Sequence, residues 1–177
     1  MSSRFEIPRS PEFNWTDLSP HAKGFKFLRS DPDSALVISI NPAQLEIKVL
    51  FETPPPIHDV NEVIETNLCR LKNEGYVFLD AYVCRFLFQN NHLFPKEWCE
   101  ITESESLDEK SGSIRFDGSI FSSPTQEVVL SPFCSRGKWG HGFNYNRVSD
   151  VEAFKMGSFS SRSYTAVLHR KYLDADY

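Results

Sequence analysis

The chain lacks any long apolar run. Its best candidate, residues 77–88, is interrupted by Asp80 and Arg85, short of the roughly eighteen apolar residues that a membrane-crossing helix needs. The opening Met-Ser-Ser-Arg-Phe-Glu has no apolar signal core, and neither end carries a myristoylation or prenylation motif. These absences lead us to expect a protein of the cytoplasm or nucleus. Cysteine is sparse: Cys69, Cys84, Cys99 and Cys134 lie 15, 15 and 35 residues apart. No Cys-x-x-Cys pair exists to grip zinc or run redox chemistry, so four buried free thiols are expected. Five scattered histidines show no His-x-x-x-His spacing, and neither a metal site nor a cofactor is expected. Methionine is scarce as well, two residues against fifteen Phe, which points to a core of rigid rings.

What is present suits one globular domain. The chain has 177 residues, of which 40% are hydrophobic and 14% aromatic, enough to fill a core. The net charge of −5 argues against an obligate nucleic-acid binder, yet the signs are segregated. Residues 31–117 carry seven basic and sixteen acidic groups, whereas 136–171 carry seven basic against only Asp150 and Glu152. A fold that gathers the basic ends would offer phosphate or anionic lipid one face, while the acidic middle met something else.

Along the chain, residues 1–30 read as an extended arm held out of helix by Pro8, Pro11 and Pro20, with 31–177 as the globular domain. Residues 35–40 and 45–52, joined by Asn41-Pro42-Ala43-Gln44, suggest a hairpin whose second strand buries Leu45, Ile47, Val49 and Phe51. Asp59 with Glu62 forms a capping box for a helix over 60–73. Its Val60, Val63, Ile64, Leu68 and Leu71 share one face, and Gly75 stops it. Residues 76–89 read as a strand, although Leu79, Val83, Phe86 and Leu87 also make a helical stripe. Asp117-Gly118 predicts a two-residue turn between strands 114–116 and 119–121. Residues 103–112 read as an exposed loop, 127–133 and 164–172 as strands, and Ser149 with Glu152 caps a second, short helix ended by Gly157. The expected class is α+β: a twisted, mainly antiparallel sheet with one principal amphipathic helix and one short one.

No reaction is specified by these residues. The run from Arg136 to Arg147 holds three glycines with Trp139 and Tyr145, but lacks the Lys-Ser/Thr ending of a phosphate loop. Its glycines suit a tight turn or a bulge between strands. Cys134 and His141 are close enough in sequence to suggest a nucleophile and base, without a third group to orient the imidazole, and no enzymatic activity is expected. The stronger signal is a basic and aromatic tail, from which Lys138, Trp139, Arg147, Lys155, Arg170 and Lys171 are the candidate contacts, with Trp139 as an interfacial anchor.

The segment Glu46-Ile-Lys-Val-Leu-Phe-Glu, then Pro54-Pro-Pro, residues 59–73 and the aromatic stretch 76–88 resembles the central part of rhabdovirus matrix proteins, most closely those of plant cytorhabdoviruses. The resemblance covers about a third of the chain as pattern. It implies a structural protein that condenses the viral nucleocapsid, self-associates and bridges it to the inner face of the envelope in assembly and budding. The implied partners are the nucleocapsid, an anionic membrane and further copies of itself, without sequence-specific nucleic-acid binding. The implied location is the virion beneath the envelope, with host cytoplasm, inner membranes and nucleus before that. Departures are clear: the N-terminal arm holds only dispersed basic groups, and Pro54-Pro55-Pro56 is followed by Ile57 and His58, where the budding motif has tyrosine. Two other readings stand beside it. One is an acidic inhibitor or immunity-type protein whose middle segment binds a basic partner. The other is a small β-barrel for an apolar ligand, suggested by the Gly-x-Trp-x-x-Gly run at 137–142.

Overall fold

The computed structural model describes residues 3–10, 24–103, 112–123, 126–145 and 162–173. The expected helix at 149–157, most of the 103–112 loop, and the candidates Arg147 and Lys155 lie outside them. The described strands are β1 (Phe5–Glu6), β2 (Lys26–Ser30), β3 (Ser39–Ile40), β4 (Leu45–Phe51), β5 (Tyr76–Phe78), β6 (Gly112–Ser122), β7 (Glu127–Leu130), β8 (Phe133–Ser135), β9 (Lys138–Gly140), β10 (Phe143–Tyr145) and β11 (Arg162–His169). The helices are α1 (Val60–Asn73), α2 (Ala81–Gln89) and α3 (Lys96–Thr102).

The fold is α+β, with a mainly antiparallel, open sheet in the order β10-β7-β6-β11-β4. Among the described strands only β6 and β11 run parallel. Beyond Thr165 they part: β5 takes the freed edge of β11, and β2 pairs with the far half of β6. Because side chains alternate across a strand, each face has its own core. Ile114, Phe116, Tyr164, Ala166, Leu168 and Val77 pack with Val83, Leu87 and Trp98 of α2 and α3. Leu50, Phe51, Phe78 and Val167 pack with Val60, Ile64 and Leu71 of α1, which is the apolar face expected of the 60–73 helix. An open sheet covered by helices is not the barrel considered above.

Several local expectations are corrected by tertiary partners. Residues 76–89 are a three-residue strand followed by α2, because Asp80 caps the helix: its Oδ1 accepts from the Tyr82 and Val83 N–H groups, both at 3.1 Å. The 35–52 hairpin does not form. β3 pairs with β1 from the N-terminal arm, a partner more than thirty residues away that local pattern does not reveal. In β4, Leu50 is buried and Val49 is 40% exposed. A bulge between Ser163 and Tyr164 aligns Phe51 and Val49 with consecutive β11 residues, so the alternation shifts by one. Helix α1 begins at Val60, yet Asp59 makes no side-chain cap bond; its Oδ1 lies 3.6 Å from His58 Nε2. Gly75 does stop the helix, with φ 89°.

Asp117-Gly118 is not a turn but the middle of the continuous β6. Gly118 is outside the left-handed region and is required instead by crowding. A Cβ there would sit 2.6 Å from Ser34 Oγ and 2.7 Å from the carbonyl oxygens of both Phe78 and Leu79.

Two charged pairs are built into the interior. Arg115 and Asp117, at 0% and 2% side-chain exposure, are joined by a 2.6 Å contact. Arg9 donates to Asp80 at 2.8 Å and to the carbonyls of Ser34 and Val37 at 2.9 Å, fastening the arm to the cap of α2. Burial pushes the Asp80 carboxyl above the ordinary carboxylate range, with the Arg9 guanidinium opposing that shift.

Candidate functional site

The described part of the glycine-rich run builds a hairpin. β8 and β9 form their own two-stranded sheet, with Phe133 opposite Gly140, Cys134 opposite Trp139 and Ser135 opposite Lys138. Arg136 and Gly137 make the connection with φ 51° and 71°, the left-handed pair that a two-residue turn demands. That is the turn role the sequence suggested for its glycines.

Alternation then decides which side chains face inward. Cys134 and Trp139 share the inner side. Cys134 is bonded to Cys99 of α3, with 5.0 Å between Cα atoms, and its N–H donates to Thr102 Oγ1 at 2.9 Å. Trp139 stacks on Phe94 with centroids 4.0 Å apart, and just beyond the hairpin His141 stacks on Phe88 at 3.8 Å. Phe133, 45% exposed, Ser135, Arg136 and Lys138 face outward. The hairpin is thus an anchored ribbon with two cations at its turn and one exposed ring at its base, opposite Gly140.

This arrangement corrects the cysteine expectation. Cys99 and Cys134 form a disulfide, Cys69 is exposed on α1, and only Cys84 is the buried free thiol foreseen. Burial pushes the Cys84 thiol well above its ordinary value, so it is a poor nucleophile. Cys134 is held in the disulfide and the His141 ring stacks on Phe88, so the structure does not present the two as a nucleophile and base. Trp139 is half-buried against Phe94, on the face of the hairpin opposite to the outward Phe133. Arg136 and Phe133, not among the sequence candidates, are also exposed on this hairpin. Counting alternate residues back from the turn at 136–137 would have found Phe133.

The remaining candidates are dispersed. Lys138 is at the hairpin tip, whereas Arg170 and Lys171 lie in the 3-10 turn Arg170–Tyr172 at the end of β11. Arg170 is paired with the Asp33 carboxylate, and the Lys171 ammonium is 4.8 Å from the Tyr172 ring centre. Elsewhere, a cleft of about 550 Å³ is lined by Arg4, Glu6, Ile7, Ile38 and Ser39. There Arg4 donates to Ser39 Oγ at 2.6 Å and to the Tyr172 carbonyl at 3.1 Å. Among the described residues no cluster of three or more His, Cys, Asp or Glu is placed to hold a metal ion. No helix among them is long and apolar enough to cross a membrane.

His141 supplies a pH test of the hairpin's seat. Burial against Phe88 holds its imidazole below the ordinary value of 6.5, so below pH 6.5 the unfolded chain binds more protons than the folded one. Stability is full above that pH and falls as pH drops through the window beneath it. Thermal unfolding followed from pH 7.5 to 5 should show this loss, and His141→Leu should flatten it; an unchanged slope in the variant rejects the assignment. No protein-family model, curated protein or solved structure matches the chain.

Proposed function

We propose that this chain works by binding, as a non-enzymatic structural protein of the viral matrix type. In this reading it self-associates, condenses a nucleocapsid and bridges it to the anionic inner face of an envelope. The observation that carries it is the β8–β9 hairpin, which exposes Arg136 and Lys138 at its turn and the ring of Phe133 at its base opposite Gly140, on a seat fixed by a disulfide and a ring stack. Cations beside an exposed aromatic ring suit a lipid headgroup layer. Each cation near an anionic bilayer is worth about 1 kcal/mol. Arg136→Glu with Lys138→Glu should therefore weaken vesicle binding at least about thirtyfold. The test is flotation with anionic and neutral vesicles at low and high salt. Salt-sensitive flotation with anionic vesicles, lost in the double variant, is the expected result. Flotation that survives the double reversal, or none for the parent chain, overturns this contact.

A second reading has its own observation. The solvent side of α1 carries Glu62 and Glu65, with Glu74 at its C-cap and Glu52 just upstream. The basic groups there are already engaged, Arg70 with Glu74 at 2.6 Å and Lys72 with Asp31. Such a face suits a basic partner, as an acidic inhibitor or immunity-type protein would need. Protection of α1 amides by a basic partner, with the 133–140 amides unaffected, would select this reading over the matrix one.

A further inference from the structure

The hairpin that carries the contact surface belongs to neither face of the main sheet. Its inner attachments are the Cys99–Cys134 bond, one hydrogen bond from Cys134 N–H to Thr102 and the stack of Trp139 on Phe94. At its base the ribbon continues the β7–β10 pair through the Ser131 N–H to Gly142 carbonyl bond at 2.9 Å, but beyond it two strands alone are marginal in water, and Arg136 is held at φ 51°, which non-glycine residues adopt at some cost. The covalent bond is the attachment that a cellular condition can remove without altering the sequence. It joins a half-buried residue, Cys99, to a buried one, Cys134.

We propose that the Cys99–Cys134 disulfide is a reversible redox staple: closed, it presents Phe133, Arg136 and Lys138 as one rigid contact; opened, it lets the hairpin fray. The proposal rests on the hairpin being the contact surface, and it names the regulation of that surface. Opening is thiol–disulfide exchange with a low-molecular-weight thiol of the glutathione class. The reductant's thiolate attacks the Cys99 sulfur, the S–S bond breaks, and Cys134 leaves as a thiolate that takes a proton from water. A second reductant thiolate then attacks the reductant-derived sulfur of the mixed disulfide, and the Cys99 sulfur leaves as a thiolate that takes a proton from water. Cys99 is released as a thiol and the reductant is oxidised to its disulfide, two electrons having passed to the protein bond. The bond would be open in a reducing compartment and closed in an oxidising one. The main sheet should be indifferent, because neither cysteine is in it.

The test uses the full chain carrying Cys69→Ser, which removes the exposed thiol that would scramble the exchange. Oxidised and dithiothreitol-reduced samples, their thiols counted by alkylation mass, are compared by amide hydrogen exchange and by flotation with phosphatidylserine-containing vesicles. Reduction should speed exchange across 133–140 by about tenfold or more and leave 162–169 unchanged. Vesicle binding should fall about tenfold, as expected when a contact loses preorganisation, and return on reoxidation. Unchanged exchange at 133–140 in a sample with both thiols free overturns the staple, as does loss of protection throughout the chain. Cys99→Ser with Cys134→Ser should reproduce the reduced pattern in a folded protein; oxidised-like protection there overturns it too. If the oxidised chain fails to float, the contact reading falls, while exchange at 133–140 still decides the staple.

Discussion

Asp117→Ala should lower the unfolding free energy by about 3–5 kcal/mol, among the largest single-residue losses in this chain. The carboxylate accepts from Arg115 Nε at 3.0 and 3.2 Å and from Nη2 at 2.6 Å. The Arg115 side chain has no exposure to solvent. Removing the carboxylate takes the adjacent negative charge and its hydrogen bonds away from a buried cation, and part of the desolvation that the pair offset is then no longer compensated. The pair itself need not be net stabilising. Replacing both partners with apolar residues of similar volume, Arg115→Met with Asp117→Leu, should recover most of the loss. Denaturant unfolding of the two single variants and the double variant forms a cycle. A double variant as unstable as the sum of the singles would contradict this account.

Gly118→Ala should cost about 3 kcal/mol or more and lower the melting temperature by roughly 6–12 °C. A methyl group there would meet Ser34 Oγ and the Phe78 and Leu79 carbonyl oxygens at 2.6–2.7 Å. Two of these three atoms are backbone. They cannot retreat cheaply, because Gly118 N–H donates to the Leu79 carbonyl and Asp31 N–H to the Gly118 carbonyl, both at 3.0 Å. Shortening Ser34 to Ala should therefore not rescue the variant. Gly137→Ala is the control: nothing lies within 4 Å of its Cβ position, and its φ of 71° limits the cost to about 1–2 kcal/mol. Equal losses at the two positions would show that crowding is not what keeps glycine in β6.

Both positions mark the limit of local pattern. Asp117-Gly118 looks like a turn because the same two residues serve turns through left-handed geometry. Here Asp117 is taken by Arg115, and Gly118 by a close passage of β5. Residues 76–89 carried apolar, β-branched and aromatic residues compatible with either period. Asp80 decided between them as a helix cap, once Arg9 from the arm was available to balance its burial. The disulfide was invisible for the same reason, since 35 residues separate its cysteines and only the packing of α3 under β8 brings them together. At the hairpin, the turn was legible from Gly137, but the inward seat of Trp139 on Phe94 was not.

The sequence by itself determined the α+β class, the buried face and glycine stop of α1, and the turn of the basic hairpin. These rest on helical periodicity and on backbone angles that few residues accept, which act over a few neighbouring positions. The tertiary structure decided how β6 and β11 part, which strands are continuous, and which cysteines join. It also decided which cations reach solvent unopposed and which, like Arg170, meet a carboxylate. Those outcomes depend on contacts between residues far apart in the chain, where burial and charge pairing outweigh local preference.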